Sequence, residues 1–236
     1  MIKLLITIFI FFFDYASDQH QVNINNSFIS IEKTDDDIIN GLKEILIEGS
    51  KYAINKGSQK NGFNNNQFIR ILIPSECIEI KNKLSKLGLS DKIKLLENKM
   101  NYAAEDATAK CQKILIDCIL NINIEDGLSI LNGKPNEASL YLKNKSFNNL
   151  YSKIEPLIIE SMNQFEVMKS WSAIIKKYNS LPFTKDIETN LIEHITIKTI
   201  DGLFILIAEQ EMKIRENPVN SSNEILKKIF IHKLKK

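Results

Sequence analysis

Nearly every patterned segment of this chain repeats its apolar residues at the 3.6-residue spacing of a helix, and almost none alternates, which restricts the fold to helices packed on helices. The first such segment opens at "TDDD". Thr34 stands as an N-cap with Asp37 three residues on, a capping-box arrangement that also sets acidic side chains at the positive end of the helix dipole. Ile38, Leu42, Ile45, Leu46 and Ala53 then share one face, and Gly57 follows as a stop. Gly41 and Gly49 lie on the same face. Glycine within a helix costs about 1 kcal/mol relative to alanine, so two of them on a buried stripe predict that another helix crosses at close range.

Start and stop signals recur along the chain. Ser75 caps "SECIEIKNKLSKLG", which Gly88 ends, and Ser90 opens one long predicted helix that runs to residue 122. On that helix Met100, Ala103, Ala104, Ala107, Cys111, Ile114, Leu115 and Cys118 form a stripe whose first part is small. Asn123 is the predicted cap of "NIEDGLSILNG", with Gly133 as its stop. Pro135 begins a helix-rich stretch in which Pro156 starts a new helix or kinks an old one, because it has no N–H to donate. Trp171, the only tryptophan, reads as a core anchor. Beyond Pro182 the pattern predicts a helix around residues 188–195, a long one within residues 198–218 that stops at Asn217 and Pro218, and a last helix capped within "SSNE". The exception is "FIRILIP", an extended run over residues 68–73 that follows the loop "GSQKNGFNNN" and has no evident strand partner. A chain of 236 residues with 44% hydrophobic content suffices for one sizeable core and is short for two. The expectation is an all-α single domain of seven to nine helices over residues 34–231.

The remaining chain divides by composition. Residues 1–16 read as an export signal: Lys3 precedes an apolar run over residues 4–13, too short for a hydrocarbon core that needs about 20 residues. Small residues at the usual cleavage spacing are missing, since Asp14 stands two residues before Ala16 and Tyr15 two before Ser17, and no cysteine follows the apolar run to carry a lipoprotein anchor. Residues 17–33 are a polar tether, and residues 232–236 end a basic, partly amphipathic tail that offers weak contact with an anionic membrane surface. The expected location is outside the cytoplasm, in the periplasm.

Net charge of +2 gives no field for attracting nucleic acid, which is not expected as a partner. Cys77, Cys111 and Cys118 are odd in number and read as buried apolar residues; His20, His194 and His232 show no ligand spacing, so neither a disulfide framework, a metal nor a cofactor is expected. Arg70 and Arg215 are the only arginines among many lysines, which raises the weight of each.

The polar residues that stand out are Glu211, Arg215, Asn101 and Glu105. On a helical wheel Glu211 falls about 20° from Ile200, inside the apolar stripe of Leu203, Phe204, Ile207 and Ile214, and Arg215 falls at about 60°. The acid precedes the base by four residues, the favourable order for a helical ion pair. One reading makes them a buried pair that fixes helix packing. The other makes them part of a cleft in which Arg215 clamps a carboxylate or phosphate, with Asn101 or Glu105 of "NYAAEDA" as a third party. No residue is assigned a catalytic role: there is no glycine-rich phosphate loop and no G-x-S-x-G elbow.

Several segments, in order, resemble a bacterial family known as domain of unknown function 4197: "GLKEILIEGSKYAI" with "NGF", "IRILIP", "LGL", "MNYAAEDA", "IEDGLSIL" with "LYL", "IKTIDGLF", "AEQEMKIRENP" and "ILKKIF". They cover residues 38–230. Val219 and Asn220 stand where the family tends to have Ala-Arg, and His194 where it has an aromatic residue. The resemblance implies an exported helical protein and supplies no activity. The expected function is a non-enzymatic binding or interaction module of the cell envelope, with a protein or small molecule as partner. Two alternatives stay open: a carrier of an apolar or anionic ligand in a helix-lined cavity, and an enzyme in which Glu211, Arg215 and Asn101 or Glu105 converge on a solvent-reachable pocket.

Overall fold

The structure, a computed structural model, describes residues 34–185 and 187–231; the export signal, the polar tether and the basic tail read from the sequence lie outside them. Among the described residues the fold is all-α, with nine α-helices and no strand: α1 (Asp35–Gly57), α2 (Ile78–Lys86), α3 (Ser90–Lys110), α4 (Gln112–Asn121), α5 (Gly127–Asn132), α6 (Glu137–Gln164), α7 (Val167–Asn179), α8 (Leu191–Glu216) and α9 (Glu224–Phe230). Helix α8 packs between α1 and α6; α3 lies against α6 and α7, and α4, α5 and α9 cover the rest of α1. No described helix is long and apolar enough to cross a membrane.

Helix α1 begins as its sequence dictates. Thr34 Oγ1 accepts the Asp37 amide at 3.1 Å and Asp37 Oδ2 accepts the Thr34 amide at 3.4 Å, closing the capping box. The two stripe glycines mark close crossings. A Cβ on Gly41 would lie 2.7 Å from Cγ1 of Ile229 in α9, and one on Gly49 would lie 2.9 Å from Cγ2 and 3.1 Å from the backbone oxygen of Ile207 in α8. At Gly41 the neighbour is a side chain, whereas at Gly49 part of it is backbone, the Ile207 carbonyl, which cannot move aside. Gly49→Ala is therefore expected to destabilise the fold by about 1 kcal/mol: overpacking costs about 1–3 kcal/mol and outweighs the ~1 kcal/mol that alanine gains in helix propensity. Urea unfolding measures this, and a Gly49→Ala chain as stable as the parent would overturn the close-crossing account.

Three sequence expectations are corrected, and a choice left open at Pro156 is narrowed. The helix expected from Ser90 to residue 122 is two, α3 and α4, broken at Cys111. There the thiol donates to the Ala107 carbonyl at 3.1 Å, and the Cys111 amide turns instead to Thr108 at 3.0 Å. Burial pushes that thiol's pKa up to about 12, so the proton it donates is held. Helix α5 is capped by Asp126, whose Oδ1 accepts the Ser129 amide at 2.8 Å, whereas the Asn123 carbonyl accepts the Tyr141 hydroxyl. Of the two readings of Pro156 the first is excluded, since it lies inside α6 and starts no new helix; the Ser152 carbonyl it leaves without a helical donor is on the exposed face. The two helices expected after Pro182 are one, α8, capped by Asn190, whose Oδ1 accepts the Glu193 amide at 3.2 Å.

Ala103, Ala104 and Ala107 of α3 are wholly buried, so the small-residue stripe is closed by its neighbours. Trp171 is buried in the core, and Cys77, Cys111 and Cys118 are free and buried. Residues 70–74 form neither helix nor strand and follow a turn over residues 67–69. Ile69, Ile71 and Ile73 point inward while Phe68, Arg70 and Leu72 point outward, the alternation expected of extended backbone half-buried on a core.

Candidate functional site

Glu211 and Arg215 meet, with Nε 2.8 Å from Oε1, in a place solvent scarcely reaches: Glu211 is 0% exposed and the Arg215 side chain 7%. The carboxylate lies at the start of α6, where the amides of the first turn have no partners within the helix. Oε1 accepts the Ala138 amide at 3.0 Å as well as Arg215; Oε2 accepts the Ser139 amide at 2.7 Å and the Ser139 hydroxyl. Each oxygen thus has two donors, which fills the roughly four acceptor positions of a carboxylate. Arg215 turns its other nitrogens to the last turn of α5, donating to Leu131 O at 2.8 Å and Ile130 O at 3.2 Å, and lies 5.0 Å from the centre of the Phe230 ring. From α8, then, an anion meets the positive end of α6 and a cation the negative end of α5. Arg215 also borders a shallow hollow with Pro135 and Met212, but the Glu211 carboxylate has no lone pair left for a substrate.

Asn101 and Glu105, one turn apart on α3, lie elsewhere and serve the chain between α1 and α2. Asn101 Oδ1 accepts the Ile71 amide at 2.9 Å, while its Nδ2 donates to Ile71 O and Glu97 O, both at 2.7 Å. The side-chain amide thereby makes the pair of bonds a neighbouring strand would make to the extended segment. Glu105 accepts the amides of Asn61, Phe63 and Asn64 at 3.0, 3.1 and 3.2 Å and shapes the loop that leaves α1. Burial raises its carboxyl pKa, and the three amides only partly offset that. A raised folded pKa means that protonation of Glu105 favours the fold. Its contribution is complete below the unfolded pKa and is lost as pH rises through the folded one. A carboxyl carbon-13 titration is expected to place Glu105 above the ordinary 4.5; a midpoint at or below that value would overturn the assignment.

The structure brings a different set of residues to a groove. Of about 680 Å³, it lies within the range of small-molecule sites, between residues 68–76 on one side and one face of α8 on the other. His194, Lys198, Asp201, Gly202 and Ile205 come from α8, and Lys143 reaches in from α6. A Cβ on Gly202 would lie 2.7 Å from Phe63 Cε1 and 3.2 Å from Ile69 Cβ, so its absence lets the two sides meet at the base. His194 Nε2 donates to Leu72 O at 2.9 Å and joins them at the rim. Lys143 is paired with Asp201 at 2.7 Å. Glu76 accepts the Thr189 hydroxyl at 2.8 Å; its own backbone amide first, and then Thr189, hold its carboxyl below the usual glutamate range. Lys198 is exposed and makes no ion pair among the described residues. Phe68, at 73% exposure, and Leu72, at 50%, offer apolar surface on the same side as Arg70.

None of the four residues singled out from the sequence lines this groove, yet Asn101 braces its wall from behind at Ile71, while Glu105 holds the loop over residues 61–64 that precedes it. Arg70, Lys198, Phe68 and Leu72 were not assigned to a site. The available signals were Arg70's rarity among lysines and the outward alternation within "FIRILIP"; nothing local pointed from these to α8. Among the described residues no group of His, Cys, Asp and Glu side chains is arranged to hold a metal ion.

No curated protein and no solved structure matches the chain. A family model described as a protein of unknown function, DUF4197, matches residues 32–231. The match spans the whole described body, including both sides of the groove and the Glu211–Arg215 node, and the chain therefore belongs to the DUF4197 family.

Proposed function

We propose that this is a non-enzymatic binding protein of the bacterial cell envelope and that its ligand seats in the groove between residues 68–76 and α8. The observation that carries the reading is the groove's combination of cationic groups, Arg70 and Lys198, with the exposed apolar side chains of Phe68 and Leu72. Surface of this kind on a wall fixed by a buried asparagine is characteristic of recognition. The Glu211 carboxylate and Asn101, by contrast, are already committed to bonds within the fold. Support for export is the Lys3 and apolar-run pattern at the N-terminus.

The test is to titrate isotopically labelled protein with small-molecule fractions of a bacterial envelope extract. Amide shifts confined to residues 68–76 and the His194 to Ile205 face of α8 are the expected result, and Lys198→Gln should weaken the response roughly tenfold, the share of one charged hydrogen bond. Shifts centred on Arg215, or no response to any fraction, would overturn the groove as the binding site.

A further inference from the structure

We infer that the groove takes an anion carried on a single alkyl chain, and that Arg70 receives the anionic group by exchanging it for Glu97; this rests on the groove being the binding site. The state of Arg70 motivates the inference. Its Nε is buried without an acceptor, and its Nη2 comes only to 3.8 Å from Glu97 Oε2, an ion pair too long for a hydrogen bond. A buried donor without a partner is unfavourable, and a third of the side chain remains exposed at the groove wall. Glu97 does not depend on Arg70, because Lys81 meets its other oxygen at 3.2 Å. Arg70 can therefore turn outward to an entering anion and gain bonds it lacks, while the buried Glu97 keeps a counter-ion.

The other groups decide the ligand class. Lys143 is neutralised by Asp201, which leaves Lys198 and Arg70 as the cations available to an anionic group; the Glu76 carboxylate, turned to the Thr189 hydroxyl, offsets only part of their charge. Phe68, Leu72 and Ile205 offer the apolar surface that an alkyl chain would cover. A peptide added as a further strand fits less well. Both polar backbone groups of Ile71 are used by Asn101, and the Leu72 carbonyl by His194, so the extended segment has no free row of donors and acceptors. Carboxylate and phosphate heads share the required chemistry.

Isothermal titration of the full chain with dodecanoate, dodecyl phosphate, dodecyl maltoside and acetate, each below its micelle concentration, tests this. Saturable binding of one alkyl anion per chain is expected, with dodecyl maltoside and acetate at least about tenfold weaker. Arg70→Gln and Lys198→Gln should each weaken the alkyl anions by about tenfold or more, and Glu97→Gln should leave binding equal or tighter because it frees Arg70. Lys198 is exposed, so its variant reports even where Arg70→Gln folds poorly. Equal binding of the maltoside, equal binding of acetate, an indifferent Lys198→Gln, or weaker binding in Glu97→Gln would each overturn the inference. If envelope fractions shift the groove amides and neither alkyl anion binds, this inference fails while the groove stands as the site; if the groove amides never shift, both fail.

Discussion

Replacing Glu211 with alanine is expected to remove about 3 to 5 kcal/mol of folding stability, the loss typical of breaking one side of a buried ion pair. Three effects act together. Arg215 keeps its charge at 7% exposure without its carboxylate partner, the first turn of α6 loses the acceptor for the Ala138 and Ser139 amides, and the Ser139 hydroxyl loses its partner. In a chain of this size each kcal/mol moves the melting temperature by roughly 2–4 °C, so thermal and urea unfolding should both register the change. Arg215→Lys should fall between parent and Glu211→Ala: the ammonium keeps the charge but cannot span Glu211, Leu131 and Ile130 with one planar fork. A double replacement of the pair by methionine should cost less than Glu211→Ala alone, since no charge is then left buried without a partner. A Glu211→Ala chain within about 1 kcal/mol of the parent that lost ligand binding would reverse the assignment, because only a site would behave so.

What the sequence made legible was the part of the fold governed by near neighbours. The Thr34–Asp37 capping box, the Asn223 cap of α9 and the crossings at Gly41 and Gly49 all follow from residues a few positions apart or from one helix face. The break at Cys111 was hidden because the apolar stripe runs through it unchanged; a thiol competing for the Ala107 carbonyl leaves no mark on the period. The choice between the two readings of Pro156 was hidden for a related reason. Proline's cost in a helix depends on whether the stranded carbonyl can reach water, and exposure is a tertiary property. The wheel placed Glu211 inside the stripe, but its acceptors' partners lie on α6 and those of Arg215 on α5, far off in sequence. The groove was least legible of all, since its cations and apolar side chains become a surface only when residues 68–76 meet α8.

Asn101→Ala is expected to cost about 2 to 5 kcal/mol and to disable the groove with it. Asn101 is wholly buried, and its removal leaves the Ile71 N–H and C=O without the partners they have in place of a strand; each such buried group costs about 1–3 kcal/mol. Asn101→Asp should be no better, because a carboxylate keeps the acceptor for the Ile71 amide but turns the two donations to carbonyls into repulsions and adds a buried charge. Arg70 and Leu72 flank the residue that Asn101 holds, so slackening Ile71 moves the outward side chains on which binding depends. Hydrogen exchange separates this local effect from global unfolding: the Ile71 amide should exchange slowly in the parent and by a low-energy local opening in Asn101→Ala, while the α1 and α8 core amides differ only by the global loss. Equal protection of Ile71 in both chains would show that the buried isoleucines alone hold the segment. Among the described residues no strand lies beside this segment, and its register is set instead by the Asn101 side chain. The groove's geometry is then a property of α3, which does not line it, and a ligand-binding defect from a residue outside the groove is the expected signature.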